Sequence, residues 1–368
     1  MKKLLMTGAA FVALATTPAM AQGLTLDVAG HFKGYGVYND NDEAANTSLD
    51  STNIRKETEI HFTGETTLDS GLTVGVHVET NTDRDDFTLE ESYMYLSGGW
   101  GRINFGEEDG AAYLLQVAAP SADSNVDGLR QYISTFNATG NAAGALAANT
   151  LRLDYDHVAV GSGYYNKFTY MTPVFNGFQA GFSYIPTMSD DGNALTPVAG
   201  DEDLADYEDG WELAARYEGA FEGVGVAFGA GYGNYDAETT NATDAVSDDA
   251  TTWNAGLDLD FAGFGLGVAY LDQQTEAANV ETDTTTMVIG ADYQMGAYKL
   301  GLSYYDQEID VANVAGDTET DRWTAGVNYA YGPGMSFRGS VSMIDRDPAG
   351  AGGNIDSTQV TVGTQVNF

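Results

Sequence analysis

Side-chain alternation at a period of two limits this chain more than any other property. From Leu24 the even positions read Leu24, Leu26, Val28, Gly30, Phe32, Gly34, Gly36 and Tyr38, and the odd ones Thr25, Asp27, Ala29, His31 and Lys33. In the next segment Ile54, Thr58, Ile60, Phe62 and Leu68 take one face. Arg55, Glu57, Glu59, His61 and Glu65 take the other, with Lys56 intruding on the apolar side. Successive side chains of a strand point to opposite faces, so such runs are strands whose two sides meet different surroundings. Sixteen runs of this kind are found, over 24–38, 53–68, 71–81, 87–97, 101–106, 164–173, 176–186, 208–218, 222–235, 251–262, 264–275, 282–295, 297–309, 319–332, 334–346 and 355–368.

The connections alternate between two kinds. Short ones fall at 69–71, 97–101, 174–176, 219–221, 263, 296 and 332–334, and long ones at 39–52, 82–86, 107–163, 187–207, 236–250, 276–281, 310–318 and 347–354. Short turns at one end and long loops at the other suit an up-and-down transmembrane barrel. Only a helix or an edgeless barrel pairs every backbone group in hydrocarbon. The expectation is therefore an all-β protein, a sixteen-stranded antiparallel up-and-down transmembrane β-barrel. An even strand count places both ends of the barrel on the short-turn, periplasmic side.

Lys2 and Lys3, the apolar stretch Leu4–Ala15 and Ala19-Met20-Ala21 have the order of a secretory signal peptide. The expected division is thus a leader over 1–21 and a barrel over 22–368. Against 54 acidic residues stand only 15 Lys and Arg, a net charge of −39, which repels phosphate backbones and argues against nucleic acid. Without cysteine there is no disulfide scaffold, thiolate metal site or thiol nucleophile. With 43% hydrophobic and 11% aromatic residues, the chain is too apolar for an acidic disordered protein. Among enzyme signatures, no G-x-S-x-G, H-E-x-x-H or P-loop pattern occurs, and His157 beside Asp154 and Asp156 reads as a solvated loop histidine.

The segment Gly101-Arg102-Ile103-Asn104-Phe105-Gly106 before a long loop, and the run from Phe168 to Tyr184, resemble a Gram-negative general porin. The continuation Glu107-Glu108-Asp109-Gly110-Ala111 is most similar to porins of alphaproteobacteria. The resemblance spans the whole chain after the leader. It implies an outer-membrane diffusion channel for ions and small hydrophilic solutes, without cofactor, assembled as a homotrimer of water-filled barrels. It also implies that the third long loop folds inward and narrows the pore. The terminal Phe368 is similar to the aromatic by which the barrel-assembly machinery recognises a barrel for insertion among outer-membrane lipids. Gly30, Gly34, Gly36 and Gly64 would allow close packing at a trimer contact.

The long third loop holds the acidic candidates for a constriction, Glu107, Glu108, Asp109, Asp123 and Asp127. Basic candidates on the wall are Lys33 and Arg55 by parity, Arg84 beyond the third strand, and Arg102 by resemblance. An acidic loop facing a basic wall would set a field across the gap. The same charges could equally just solvate a lumen and a loop. The chain's overall excess of carboxylates favours cations, against these basic wall residues, and more so at low salt. Leu151–Asp156 could form an extra strand. His31, His61 and His77 share the inner parity of adjacent strands, as a metal site, a pH sensor or three separate lumen histidines. Asp190, Asp191, Asp201 and Asp203 are weak Ca²⁺ candidates, although no EF-hand spacing is present. Alternatives to a general pore are a substrate-specific channel, a barrel enzyme and a structural barrel without conductance.

Overall fold

The computed structural model describes residues 23, 25–42, 50–82, 87–121, 151–157, 160, 163–188, 207–237, 248–350 and 353–368. The leader expected over 1–21, Arg84, Asp123, Asp127, Asp190, Asp191, Asp201 and Asp203 lie outside them.

Sixteen antiparallel strands close into one barrel in which each pairs with its sequence neighbours and β1 pairs with β16. They are β1 (Thr25–Asn41), β2 (Thr52–Thr67), β3 (Thr73–Asn81), β4 (Thr88–Gly98), β5 (Gly101–Glu107), β6 (Asn166–Met171), β7 (Phe178–Thr187) and β8 (Tyr207–Phe221). The second half holds β9 (Val224–Ala237), β10 (Asp248–Phe261), β11 (Phe264–Ala277), β12 (Val280–Met295), β13 (Tyr298–Val311), β14 (Thr318–Gly332), β15 (Met335–Asp347) and β16 (Ile355–Asn367). The seam is completed by Phe368, whose N–H donates to Gly30 O at 3.0 Å while Gly30 N–H donates to Phe368 O at 2.9 Å. No edge is left unpaired there.

The apolar parity of each strand faces outward, which explains why Leu26, Phe62, Val76, Phe105, Leu266 and Val341 are exposed. Aromatic side chains gather in two belts. Near the short turns lie the ring pairs Phe178–Tyr217, Phe264–Tyr293 and Tyr298–Tyr329, with centroids 4.6, 4.4 and 4.7 Å apart. Toward the long loops lie Trp211–Tyr232, Trp253–Tyr270 and Tyr304–Trp323, at 5.5, 4.8 and 4.7 Å. Phe264 and Tyr270 are six residues apart on β11, about 20 Å along the strand, with Leu266 and Val268 between them. This is the apolar band and paired girdle of a barrel in a bilayer.

Two expectations change. The connection expected over 276–281 is a two-residue hairpin, because Ala278 and Asn279 both adopt positive φ, 50° and 60°. That conformation matches the strand twist and needs no loop, so the strict alternation of short and long connections breaks at that point. Leu151–Asp156 adds no strand: Arg152 makes a single bridge and Tyr155–His157 form one 3₁₀ turn.

The described part of the long third connection lies inside the barrel. A four-residue helix, α1 (Ala111–Leu114), and the chain after it run along the inner wall. Glycine makes the approach possible. A Cβ on Gly256 would sit on Val117 O, one on Gly290 would sit on Pro120 O, and one on Gly231 would come 2.9 Å from Ala112 Cβ. Overpacking a fitted contact costs about 1–3 kcal/mol. Gly256→Ala is therefore expected to lower the thermal unfolding midpoint, while Gly332→Ala, whose Cβ meets nothing within 4 Å, leaves it unchanged.

Candidate functional site: the charged lumen

Polar and charged parity faces inward, so the lumen is built from the odd positions of β1 and β2 and their register partners. The third loop is fixed to this wall mainly through its backbone. Ala111 N–H donates to Ser183 Oγ at 2.9 Å and Ala112 N–H to Glu212 Oε2 at 3.0 Å, while Ala112 O accepts from Asn254 Nδ2 at 3.2 Å. Gln116 ties the outgoing and returning limbs, donating to Leu153 O at 2.8 Å and accepting from Tyr155 N–H at 3.0 Å. Arg216 donates to Gln116 O at 3.1 Å, and Arg322 reaches Leu151 O at 3.4 Å. Lys167, buried on β6, donates to Glu108 O and, at 2.7 Å, to Gly163 O, joining the two feet of the loop.

Of the expected acidic residues, Glu107 ends β5 opposite Ser92 and Asn166, on the register face of the outward Phe105. This corrects its assignment to the pore, because parity puts it on the other side of the sheet. Glu108 and Asp109 do stand at the loop's foot. Burial pushes the Glu108 carboxyl up to about 8, against the pull of Arg102 and with a push from Asp109. Burial, followed by the charge of Asp109, likewise raises the Asp156 carboxyl well above its ordinary range. The loop's foot therefore carries less negative charge at neutral pH than its composition suggests. Asp154 is held by Arg152, with hydrogen bonds of 2.8 and 2.7 Å.

The wall expected to be basic is mixed, with carboxylates in excess. Lys33 pairs with Glu57 Oε2 at 2.8 Å. Arg55 is an exposed residue near the long-loop end of β2. Arg102 lies beside the short turn at 99–100, stacked 4.0 Å from the Tyr95 ring centroid and bonded to Asn104 Oδ1 at 2.6 Å. Around them, on the inward parity of β1 to β4, stand Asp27, Glu57, Glu59, Glu65, Glu79 and Glu91. Inward cations not picked out from the sequence are Lys299, Arg322, Arg338 and Arg346 on β13 to β15. Their signal was present in strand parity, but only register shows that they share one side of the lumen.

The histidines are brought together. His31 Nε2 contacts Glu57 Oε1 at 2.7 Å, and its Nδ1 lies 3.9 Å from Glu59 Oε1. The same Glu59 oxygen is 3.0 Å from His61 Nε2. His61 Nδ1 meets Glu79 Oε2 at 2.8 Å and His77 Nε2 at 3.4 Å. Imidazole and carboxylate groups so placed can bind cations or hold protons.

Comparison with known proteins agrees with this geometry. The family model described as Gram-negative porin matches residues 8–363. No curated protein matches the chain significantly. Among solved structures, an anion-selective porin from Comamonas acidovorans has 16% identity and a TM-score of 0.65, covering 94% of this chain and 100% of its own. Salmonella typhi OmpF in complex with daunomycin has 19% identity and a TM-score of 0.61, with 95% and 100% coverage. The trimer form of OmpT, an outer membrane protein of Vibrio cholerae, has 14% identity and a TM-score of 0.62, with 94% and 100% coverage.

The Glu108 carboxyl, raised from 4.5 to about 8, gives a signed pH effect. Below the unfolded value both states are protonated and the site has no penalty. As pH rises toward 8 the unfolded chain loses its proton first, so this group's contribution to stability falls. Glu108→Gln removes that loss. Its thermal midpoint relative to the parent should be near zero difference at pH 4 and increasingly higher toward pH 8.

Proposed function

Because the chain belongs to the Gram-negative porin family, we propose that it is a passive channel of the outer membrane, admitting ions and small hydrophilic solutes with a preference for cations. The observation that carries this reading is a closed barrel whose polar parity faces inward, with the third loop seated against one side of that lumen. Fixed charge lining an aqueous pore selects ions without any chemical step. The excess of carboxylates on β1 to β4 is placed to concentrate cations, opposed by the arginines of β14 and β15. A cofactor, an energy source and a covalent step have no part in this function.

We also propose a homotrimer. The named trimer form of a structurally similar protein supports it, as do the short strands β3, β5 and β6, of 9, 7 and 6 residues, beside strands of 13 to 17 on most of the circumference. The first two strands are not among the short ones, since β1 and β2 have 17 and 16 residues. Phe368, on the outward face and 58% exposed at the seam, is placed to serve as the assembly signal.

Two measurements test these readings. In planar bilayers the purified protein should open in discrete steps, and a KCl gradient near 0.1 M, where the screening length is ~10 Å, should give a cation-selective reversal potential. The preference should weaken as salt rises, and anion preference at low salt would contradict the assignment of charge. Deleting Phe368 should reduce the amount of heat-modifiable barrel recovered from outer membranes, with the unit conductance of the remaining channels unchanged.

A further inference from the structure

The lumen wall between β2 and β3 holds a set of ligands that a diffusion pore does not require. We propose that His61, His77 and Glu79 form a binding site for a borderline-soft divalent cation such as Zn²⁺.

Three atoms converge there. His61 Nδ1 is 3.4 Å from His77 Nε2 and 2.8 Å from Glu79 Oε2, and His77 Nε2 is 3.7 Å from the same oxygen. In four-coordinate zinc, with bonds of about 2.0–2.1 Å, neighbouring ligand atoms stand about 3.3 Å apart. The three separations straddle that edge, so side-chain shifts of a few tenths of an ångström complete the triangle. Two imidazoles and one carboxylate form a common donor set for zinc, and they leave a fourth position to water. Imidazole nitrogen separates this site from the carboxylate clusters elsewhere on the chain, which suit hard cations.

The far side of each ring is also arranged for metal binding. His61 Nε2 lies 3.0 Å from Glu59 Oε1. A carboxylate only accepts, so both ring nitrogens of His61 donate in the metal-free site, Nε2 to Glu59 and Nδ1 to Glu79; a bound ion would displace the Nδ1 proton while Nε2 keeps its own. His77 Nδ1 lies 2.9 Å from Thr63 Oγ1, which leaves Nε2 turned toward the site. Such outer partners fix tautomer and ring orientation, and their loss typically weakens a metal site about 10–100-fold. Register explains the arrangement. His61 is directly opposite Glu79 and Thr63 directly opposite His77, so the ligands and one outer partner come from two adjacent cross-strand pairs. Glu59 and Glu79 supply two negative charges to offset the ion, and His61 is 25% exposed to the lumen, which gives it an entry path.

A second set, His31, Glu59 and His61, shares a ligand with the first, so only one can be filled. It is the poorer fit. Its His31 Nδ1–Glu59 separation is 3.9 Å, and His31 Nε2 already contacts both Glu57 oxygens at 2.7 and 2.8 Å.

The test is calorimetric titration of the detergent-solubilised full chain with ZnCl₂, with excess Mg²⁺ present to occupy oxygen-only sites. Binding in detergent does not depend on conductance, so this result and the bilayer result stand apart. Saturable binding of about one Zn²⁺ per chain is expected. His61→Gln and His77→Gln should each weaken it more than tenfold, and Thr63→Val by about tenfold. His31→Gln should leave it unchanged. Heat-modifiable migration identifies variants that have folded, and Thr63→Val, which keeps all three ligands, serves if a histidine variant has not. Co²⁺ should give the visible bands of four-coordinate cobalt in the parent and lose them in His77→Gln. No saturable binding by the parent would overturn the proposal. So would equal affinity in the folded His77→Gln or Thr63→Val variants, or a loss confined to His31→Gln.

Discussion

Everything in this molecule depends on backbone hydrogen bonds with nowhere else to go. In hydrocarbon an unpaired N–H or C=O costs several kcal/mol, so the sheet must close. It does so where Gly30 exchanges two hydrogen bonds with Phe368. Closure separates two solvents, and the period-two pattern then sorts side chains between them. Outward positions become a band of aliphatic residues between aromatic belts, and inward positions become a polar lumen. The high acidity of the chain is compatible with a membrane because the strands' own lipid-facing parity carries little of it between those belts.

Closure also produces an interior that one loop can occupy. The third connection meets a wall stripped of side chains at Gly229, Gly231, Gly256 and Gly290, and its backbone groups find partners in Ser183, Glu212 and Asn254. Backbone contact at close range fixes position more tightly than mobile side chains would. The remaining cross-section carries its charge in two strips, carboxylates with histidines on β1 to β4 and arginines on β14 and β15. These strips are not where the loop's composition alone would put the charge, because burial pushes the Glu108 and Asp156 carboxyls toward their neutral forms.

Much of the fold was legible because alternation is a one-dimensional signal and needs no partner. The sixteen strands and the inward placement of Lys33, Arg55, His31, His61 and His77 follow from parity alone. What required a second strand was not legible. Whether His61 and His77 meet depends on the pairing of Thr63 with His77, and a slip of one residue would turn one of them to lipid. Glu107 was misplaced because acidity suggested a lumen while its parity follows Phe105. The hairpin at Ala278-Asn279 lacks glycine, so its positive φ values left little trace beyond a single asparagine. The loop's path was hidden for a further reason: it is set by glycines more than a hundred residues downstream.

That distance has a kinetic consequence. The loop's hydrogen bonds join residues 72, 100, 142 and 171 positions apart, from Ala111–Ser183 to Leu151–Arg322. Contacts of such separation form slowly, since the intervening chain must be ordered before they return any energy. The loop's berth on β9 to β12 does not exist until those strands are laid down. Seating the loop therefore waits on the second half of the barrel, whose glycines form its berth.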